Sequence, residues 1–145
     1  MPQTLPAARL EFIAVMKRET STTEYPRFLA VLDAMIEWSL ARPTMVKFRP
    51  DESENGKVAF ERVGSKVVFW TATPRKHDRP RLELLPRAAR LLSEDDRANA
   101  TLTLNTHSRE ELTVEDPLRI GFGALKNQAA RAAVFDCMDQ LLVVT

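Results

Sequence analysis

The sequence predicts an α+β fold, in which helices and an antiparallel sheet occupy separate parts of the chain. Three observations indicate this class. Apolar residues recur every three to four positions over residues 5–40 and again over 127–143, as in helices that pack one face on a core. Short segments within residues 45–73 alternate apolar and polar side chains, as half-buried strands do. A glycine-serine pair at 64–65 joins two of these segments directly, without the helical crossover that parallel strands need.

Two helices are predicted in the N-terminal region, residues 1–42. The first covers residues 5–19, where the apolar positions follow a helical period. The run Ser21–Glu24 supplies N-cap hydroxyls for the second helix, whose apolar residues recur on one side until Pro43 ends it. Because the connection between the two segments is short, we expect an antiparallel helical hairpin.

A β-hairpin is predicted over residues 57–73, as part of a central antiparallel meander that begins with a strand near residue 45. A two-residue turn at 64–65 places Phe60 opposite Phe69 and buries both on one face of the sheet. In the same register Trp70 lies on the other face. There the indole is either covered by a helix or exposed beside the basic loop that follows.

The remainder of the chain is predicted to mix helices with single strands. Proline is favourable at the first position of a helix, which suggests a start at Pro86, and Ser108 begins a capping-box sequence. The predicted order is a strand at 81–85, a helix at 86–92, a strand at 100–104, a helical turn at 108–111 and an amphipathic helix at 127–143. In the last helix the residues expected to face the core are Ala130, Val134, Cys137, Met138 and Leu141.

Length and composition are those of one small soluble domain. The chain has 145 residues, of which 44% are hydrophobic and 28% charged, enough to bury a core, so we expect a single domain over residues 1–145. Its regions are the helical hairpin (1–42), the antiparallel strands (44–85) and the mixed part (86–145). No apolar run approaches the roughly 18 residues of a membrane helix, and charges interrupt the apolar runs near the N-terminus. A cytoplasmic protein without a membrane partner is expected.

No motif in the sequence identifies a catalytic, metal or cofactor site. His77 and His107 do not form a spaced ligand pair, and no lysine follows an acidic residue by two positions, as in common metal-dependent nucleases. The segment 121–123 with Lys126 is weakly like a glycine-rich phosphate loop, but a tight turn into the last helix explains it better. The lone Cys137 is expected to be a buried, unreactive thiol. We therefore predict no cofactor and do not favour an enzyme.

A basic segment bears most directly on function. From Arg75 to Arg90 the chain has six basic and two acidic residues, although its formal net charge is only +1. Such a local excess of positive charge indicates an anionic partner. An exposed Trp70 would add an aromatic surface for stacking next to it. The candidate binding residues are Trp70, Arg75, Lys76, His77, Arg79, Arg81, Arg87 and Arg90.

Two functional interpretations follow from this segment. In the first, the protein is a non-catalytic binding module whose basic loop contacts the phosphates of a nucleic acid without sequence preference. In the second, the same residues pair with acidic ones, at 94–96 or 110–116, within the monomer, across a homodimer or on an acidic partner protein. Residues 43–91 have five excess positive charges and residues 92–145 four excess negative charges, which is compatible with both. An enzyme whose site cannot be recognised in the sequence is the third alternative.

Overall fold

The computed structural model describes residues 4–19, 24–74 and 80–145 and has the α+β architecture that the sequence predicts. Over these residues five strands form one antiparallel sheet, in which neighbours in the chain are neighbours in the sheet. The strands are β1 (Val46–Phe48), β2 (Val58–Arg62), β3 (Val68–Thr73), β4 (Arg81–Leu84) and β5 (Leu118–Gly121). The helices are α1 (Leu5–Glu19), α2 (Tyr25–Leu40), α3 (Glu94–His107), α4 (Phe122–Leu125) and α5 (Gln128–Val144).

The predicted antiparallel hairpin of α1 and α2 is confirmed. Arg9 in α1 binds Asp33 in α2 through two hydrogen bonds of 2.7 and 2.9 Å. Further along α1, Lys17 lies over the ring of Tyr25, which is at the start of α2. A residue near the start of α1 thus contacts the middle of α2, and a residue near the end of α1 contacts the start of α2. The two helices are therefore antiparallel. The hydroxyls expected to cap α2, at 21–23, lie outside the described residues.

Aromatic side chains join the helices to one face of the sheet. Phe12 of α1 and Phe28 of α2 both pack on Phe122 of α4, with ring centroids 5.9 and 6.4 Å apart. Trp38 of α2 stacks on Phe69 of β3 at 5.9 Å. Since each of these side chains is almost completely buried, each contributes roughly 1.5–3 kcal/mol of apolar stabilisation. The main core thus lies between the helices and this face.

The hairpin of β2 and β3 forms as predicted, but its register differs from the expected one. Glu61 pairs with Val68 as expected, whereas Phe60 pairs with Trp70 instead of Phe69. Between these two pairs β3 contains one residue more than β2, which makes Phe69 the extra residue of a β-bulge. Simple alternation assumes an unbroken ladder and therefore cannot reveal a bulge.

The bulge directs two consecutive aromatic side chains of β3 towards α2. Phe69 stacks on Trp38, and the indole Nε1 of Trp70 donates a hydrogen bond of 2.8 Å to Oγ of Ser39. Phe60 and Phe69 are buried, which confirms that prediction, and Trp70 shares their face. The expectation that Trp70 occupies the opposite face is therefore wrong.

The loop of the hairpin is also longer than the predicted two residues. Arg62 donates its backbone N–H to Val67, so the four residues 63–66 form the connection. Val63 does not close the hairpin, because its N–H donates instead to the carbonyl of Met45, next to β1. The residue before β1 thus accepts the backbone N–H that a two-residue turn would have used to close the hairpin.

Helix α3 replaces the strand predicted at 100–104. Ser93 caps the helix, since its Oγ accepts a hydrogen bond from the backbone N–H three residues later, and three acidic residues follow in the first turn. Ala100 and Leu104 are buried, but Leu102 between them is 66% exposed. The apparent alternation is therefore the narrow apolar stripe of a mostly polar helix.

Two shorter helical predictions are wrong. The segment 86–92 contains a single 3-10 turn, Ala89–Leu91, because too few residues lie between β4 and the cap of α3 for a stable α-helix. The segment 108–111 is not helical. There the Oγ of Ser108 accepts the N–H of Glu110, which closes a local turn instead of a capping box.

The last helix is confirmed, and a strand that the sequence analysis missed precedes it. Asn127 caps α5, with its Oδ1 accepting a hydrogen bond from the N–H of Ala130 at 3.1 Å. All five residues expected to face the core are buried. The missed strand, β5, pairs with β4 from Leu84↔Leu118 to Arg81↔Gly121 and extends the sheet to five strands.

The other face of the sheet is charged. Lys47 and Glu61 face each other across β1 and β2 and form an ion pair of 3.7 Å. In the same way Glu83 of β4 lies opposite Arg119 of β5. Because direct partners share a face and alternate with the apolar positions, these charges lie away from the helical layer.

Candidate anion-binding site

The predicted binding residues fall into two groups. Arg75, Lys76, His77 and Arg79 lie outside the described residues. Trp70, Arg81, Arg87 and Arg90 are described, and their positions decide how much of the predicted surface is contiguous.

Trp70 is part of the core and not of a surface. Its side chain is 0% exposed, its indole stacks on Phe60 at 5.0 Å, and its Nε1 is bonded to Ser39. Every face of the ring is therefore covered. Of the two alternatives considered for this residue, core packing is the one that the structure shows, and a stacking role is excluded in this fold.

Strand β4 separates the described arginines. Arg81 begins the strand and pairs with Gly121, whereas Arg87 and Arg90 follow its end. A strand of four residues spans about 13 Å, so these residues lie at opposite ends of the sheet. We call them the Arg81 end and the Arg87 end. Strand β3 ends and β4 begins at the Arg81 end, so the basic segment joins the sheet there.

At the Arg87 end two basic side chains, Arg87 and Arg49, have acidic partners within the chain. Arg87 binds Glu52 at 2.7 Å although its side chain is 67% exposed. Arg49 lies 3.6 Å from Glu61 and donates to the carbonyl of a neighbouring loop. Such exposed pairs contribute little to stability, but they reduce the positive charge that this end presents.

At the Arg81 end two arginines each have an acidic partner. Arg81 lies 3.2 Å from Glu83, and the Nε of Arg119 donates to Glu110 at 3.0 Å. The hydrogen bond from Arg119 holds the pKa of Glu110 below its ordinary value, and the charge of Arg81 acts in the same direction. Arg81 is therefore close to an acidic residue of the C-terminal third, as the second functional interpretation expects.

A polar cavity opens at this same end. Its volume is about 750 Å³, and it lies between the end of α3, the segment that follows it, the end of β5 and α4. We call it the Gly121 pocket. Three basic side chains line it, His107, Arg109 and Lys126, together with the hydroxyls of Thr106 and Ser108.

Local backbone geometry forms the pocket. Helix α3 ends at His107 because Ser108 adopts an extended conformation, which turns the chain away from the helix axis. On the opposite side β5 ends at Gly121, and the N–H of Phe122 donates to the carbonyl of Pro80 at 2.8 Å. The pocket therefore adjoins the point where the basic segment re-enters the sheet.

The basic side chains of the pocket differ in how they are held. Arg109 is exposed and makes no hydrogen bond or ion pair with any residue that the structure describes. Lys126 is held by Glu24 at 3.2 Å and lies over the ring of Phe28. Glu110 also lines the pocket, but Arg119 compensates its charge. Arg109 is thus the cation most available to a ligand.

The sequence analysis did not select the pocket residues. The sequence places His107 in a loop and Arg109 in a helical turn at 108–111, and neither pattern indicates a site. The weak likeness of segment 121–123 with Lys126 to a glycine-rich phosphate loop is the one signal in the sequence that indicates this pocket. The end of α3 and the segment 121–126 lie together because of β5, a strand that the sequence analysis does not predict.

A membrane-spanning helix and a cluster of metal ligands are both absent from the residues that the structure describes. Within residues 4–19, 24–74 and 80–145, no helix is long and apolar enough to cross a membrane. Over the same residues, no group of three or more His, Cys, Asp or Glu side chains is arranged to hold a metal ion.

Comparisons of the chain with protein-family models, with curated proteins and with solved structures found no match. The chemistry of the site is therefore inferred from its own side chains.

Proposed function

We propose that the protein is a non-catalytic binding module for a nucleic acid and that the contact surface lies at the Arg81 end of the sheet. The observation that supports this proposal is the Gly121 pocket, a cavity of about 750 Å³ that contains the side chains of His107, Arg109 and Lys126. Protein cations that neutralise phosphates supply most of the affinity in sequence-tolerant binding.

The position of the basic segment supports the same end of the sheet. In the sequence, residues 75–79 stand between β3 and β4 and include three basic residues, a histidine and one acidic residue. The first residue of β4, Arg81, pairs with Gly121. Their charges would add to that of Arg109, which has no acidic partner among the described residues. The proposal therefore joins the basic segment and Arg109 in one positively charged contact surface.

The test compares two charge-neutralised double variants. Arg109→Gln with Lys126→Gln removes one unpaired and one ion-paired cation at the pocket, and Arg87→Gln with Arg90→Gln removes a matched pair at the other end of the sheet. Fluorescence anisotropy with oligonucleotides of mixed sequence, over a series of salt concentrations, measures affinity. We expect the pocket variant to lower the salt slope by about two units, at 0.9 per phosphate contact, and the control to leave it unchanged.

Three outcomes would contradict the proposal. Wild-type protein that binds no oligonucleotide at low salt excludes a nucleic-acid partner. Equal loss in both variants means that only the total charge matters and that the pocket is not the contact. Loss in the control variant alone would place the contact at the Arg87 end.

A second candidate function is an interaction module that uses the same charges on protein surfaces. The ion pairs of Arg81 with Glu83 and of Arg87 with Glu52 lie within the chain, and they support this candidate to the extent that carboxylates are already the partners of these arginines. This alternative expects a homodimer or an acidic protein partner. Light scattering during size-exclusion chromatography at low and high salt tests the homodimer, which should dissociate as salt screens the attraction between basic and acidic residues of the two copies.

A further inference from the structure

We infer that the Gly121 pocket binds a phosphate monoester, as at the phosphorylated end of a nucleic acid, in preference to an internal phosphodiester. The inference rests on the proposed function, because it names the chemical group that the same site recognises. A monoester has between 1.5 and 2 negative charges near neutral pH and three terminal oxygens, whereas an internal phosphodiester has one negative charge.

The form of the site favours an end group. A volume of about 750 Å³ is in the range of pockets that enclose small ligands, which is roughly 300–1,000 Å³. An internal stretch of backbone runs along a surface, because the chain continues on both sides of each phosphate. An end can enter a cavity.

The lining favours phosphate over base. Proteins commonly hold unpaired bases by stacking them on aromatic rings, and among the described residues the imidazole of His107 is the only ring in the lining. Of the described lining residues, Ala124 is the one apolar residue besides the glycines. A base would therefore find one small ring and little apolar surface, while a phosphate would find charged donors and the hydroxyl of Ser108.

The available donors suit a dianion with several oxygens. Arg109 has a guanidinium fork without a partner among the described residues, and Lys126 uses one of its three N–H groups on Glu24. Ser108 accepts a hydrogen bond at its Oγ from Glu110, so its O–H remains to donate. Thr106 is not available as a donor, because its hydroxyl already donates to Leu102.

Gly121 lines the pocket, and the backbone does not require a glycine there. Its φ is −73° and its ψ is 149°, an extended conformation that any residue adopts. A Cβ built on it meets no atom within 4 Å, so close packing does not require glycine either. A larger side chain here would extend into free space next to the pocket. Gly121→Val therefore reduces the pocket without changing charge and without straining the fold.

The experiment uses one oligonucleotide sequence with three ends: a 5′-phosphate, a 3′-phosphate, or hydroxyls at both ends. Wild-type protein should bind one phosphorylated form about tenfold or more tightly than the hydroxyl form, since charge-assisted bonds to a dianion are lost in the latter. Gly121→Val should abolish this preference and leave binding of the hydroxyl form within about twofold. Arg109→Gln should abolish it too and should also weaken binding of the hydroxyl form, because Arg109 belongs to the proposed contact surface. Arg90→Gln, at the other end of the sheet, should retain it. A nucleoside monophosphate and inorganic phosphate are titrated separately as competitors.

The outcomes separate the two proposals. Equal affinity for all three ends overturns the monoester inference, while the binding itself still supports the proposed function. Direct binding of the nucleoside monophosphate, measured by calorimetry, without binding of any oligonucleotide, supports the monoester site but overturns the nucleic-acid function and identifies a free nucleotide as the source. No binding of any of these probes overturns both. A preference that Gly121→Val and Arg109→Gln leave intact would place the monoester outside the pocket.

Discussion

Phe69 has an unusual position, since it is the extra residue of a bulge and yet is completely buried. Its ring lies nearly parallel to that of Trp38, with the centroids 5.9 Å apart. The indole N–H of the next residue, Trp70, donates a hydrogen bond to Ser39, which is in α2 next to Trp38. Two successive side chains of one strand thus anchor α2, which regular alternation would not allow.

Replacing Phe69 with alanine should therefore lower the free energy of unfolding by roughly 3–5 kcal/mol, because the change removes buried apolar area and leaves a cavity. Urea denaturation followed by fluorescence measures the change. Val63→Ala, at a position that is 39% exposed in the hairpin loop, is the control and should change stability by no more than about 0.5 kcal/mol. An unchanged midpoint for the Phe69 variant would mean that this ring is not part of the core.

Cys137 gives a second test at the scale of one residue. Burial raises the pKa of its thiol to about 11, so the native protein contains almost no thiolate near neutral pH. At pH 8 we expect a disulfide reagent to react more slowly with native than with urea-unfolded protein, on the order of a hundredfold. Because the folded pKa is above the unfolded one, the associated stability is complete below about pH 8.5 and is lost as the pH rises towards 11. Equal rates in both states would contradict the burial.

At the scale of elements, segments with strong apolar periodicity were predicted correctly, and segments with weak periodicity were not. Helices α1, α2 and α5 have broad apolar stripes, and the sequence analysis placed all three. Helix α3 buries Ala100, Thr101 and Leu104 along a narrow stripe, so its pattern could be mistaken for that of a strand. β5 has four residues, and its identity depends on pairing with β4, a contact distant in sequence that local pattern cannot show.

Helix α5 gives a prediction at this scale. Ending the chain after Asn127 would remove Val134, Met138 and Leu141, which are all buried in the main core. We expect a product that does not unfold cooperatively and that lacks near-ultraviolet dichroism. Removing only residues 143–145, which are exposed, is the control and should leave the transition cooperative. A truncated chain that still folds cooperatively would show that α5 is a docking element and not part of the core.

Across the whole molecule, the formal net charge of +1 conceals two oppositely charged parts that meet in the fold. The charge of Arg81, from the basic part, acts on Glu110 of the acidic part. The candidate site depends on this long-range arrangement. The sequence could show that the basic segment exists, but not that it rejoins the sheet beside His107 and Lys126, because that neighbourhood requires β5 and the end of α3.

The last prediction concerns the basic segment itself. Neutralising Arg75, Lys76, Arg79 and Arg81 together should weaken binding to DNA or RNA equally for all sequences and lower the salt slope by about three to four units, near 0.9 for each lost phosphate contact on duplex. Anisotropy titrations of wild type and variant, at several salt concentrations, measure both effects. Stability should hardly change, since exposed charges contribute little to folding and the pair of Arg81 with Glu83 is partly exposed. An unchanged slope would remove the segment from the contact surface, and a loss of dimerisation in the variant would assign it to a protein interface.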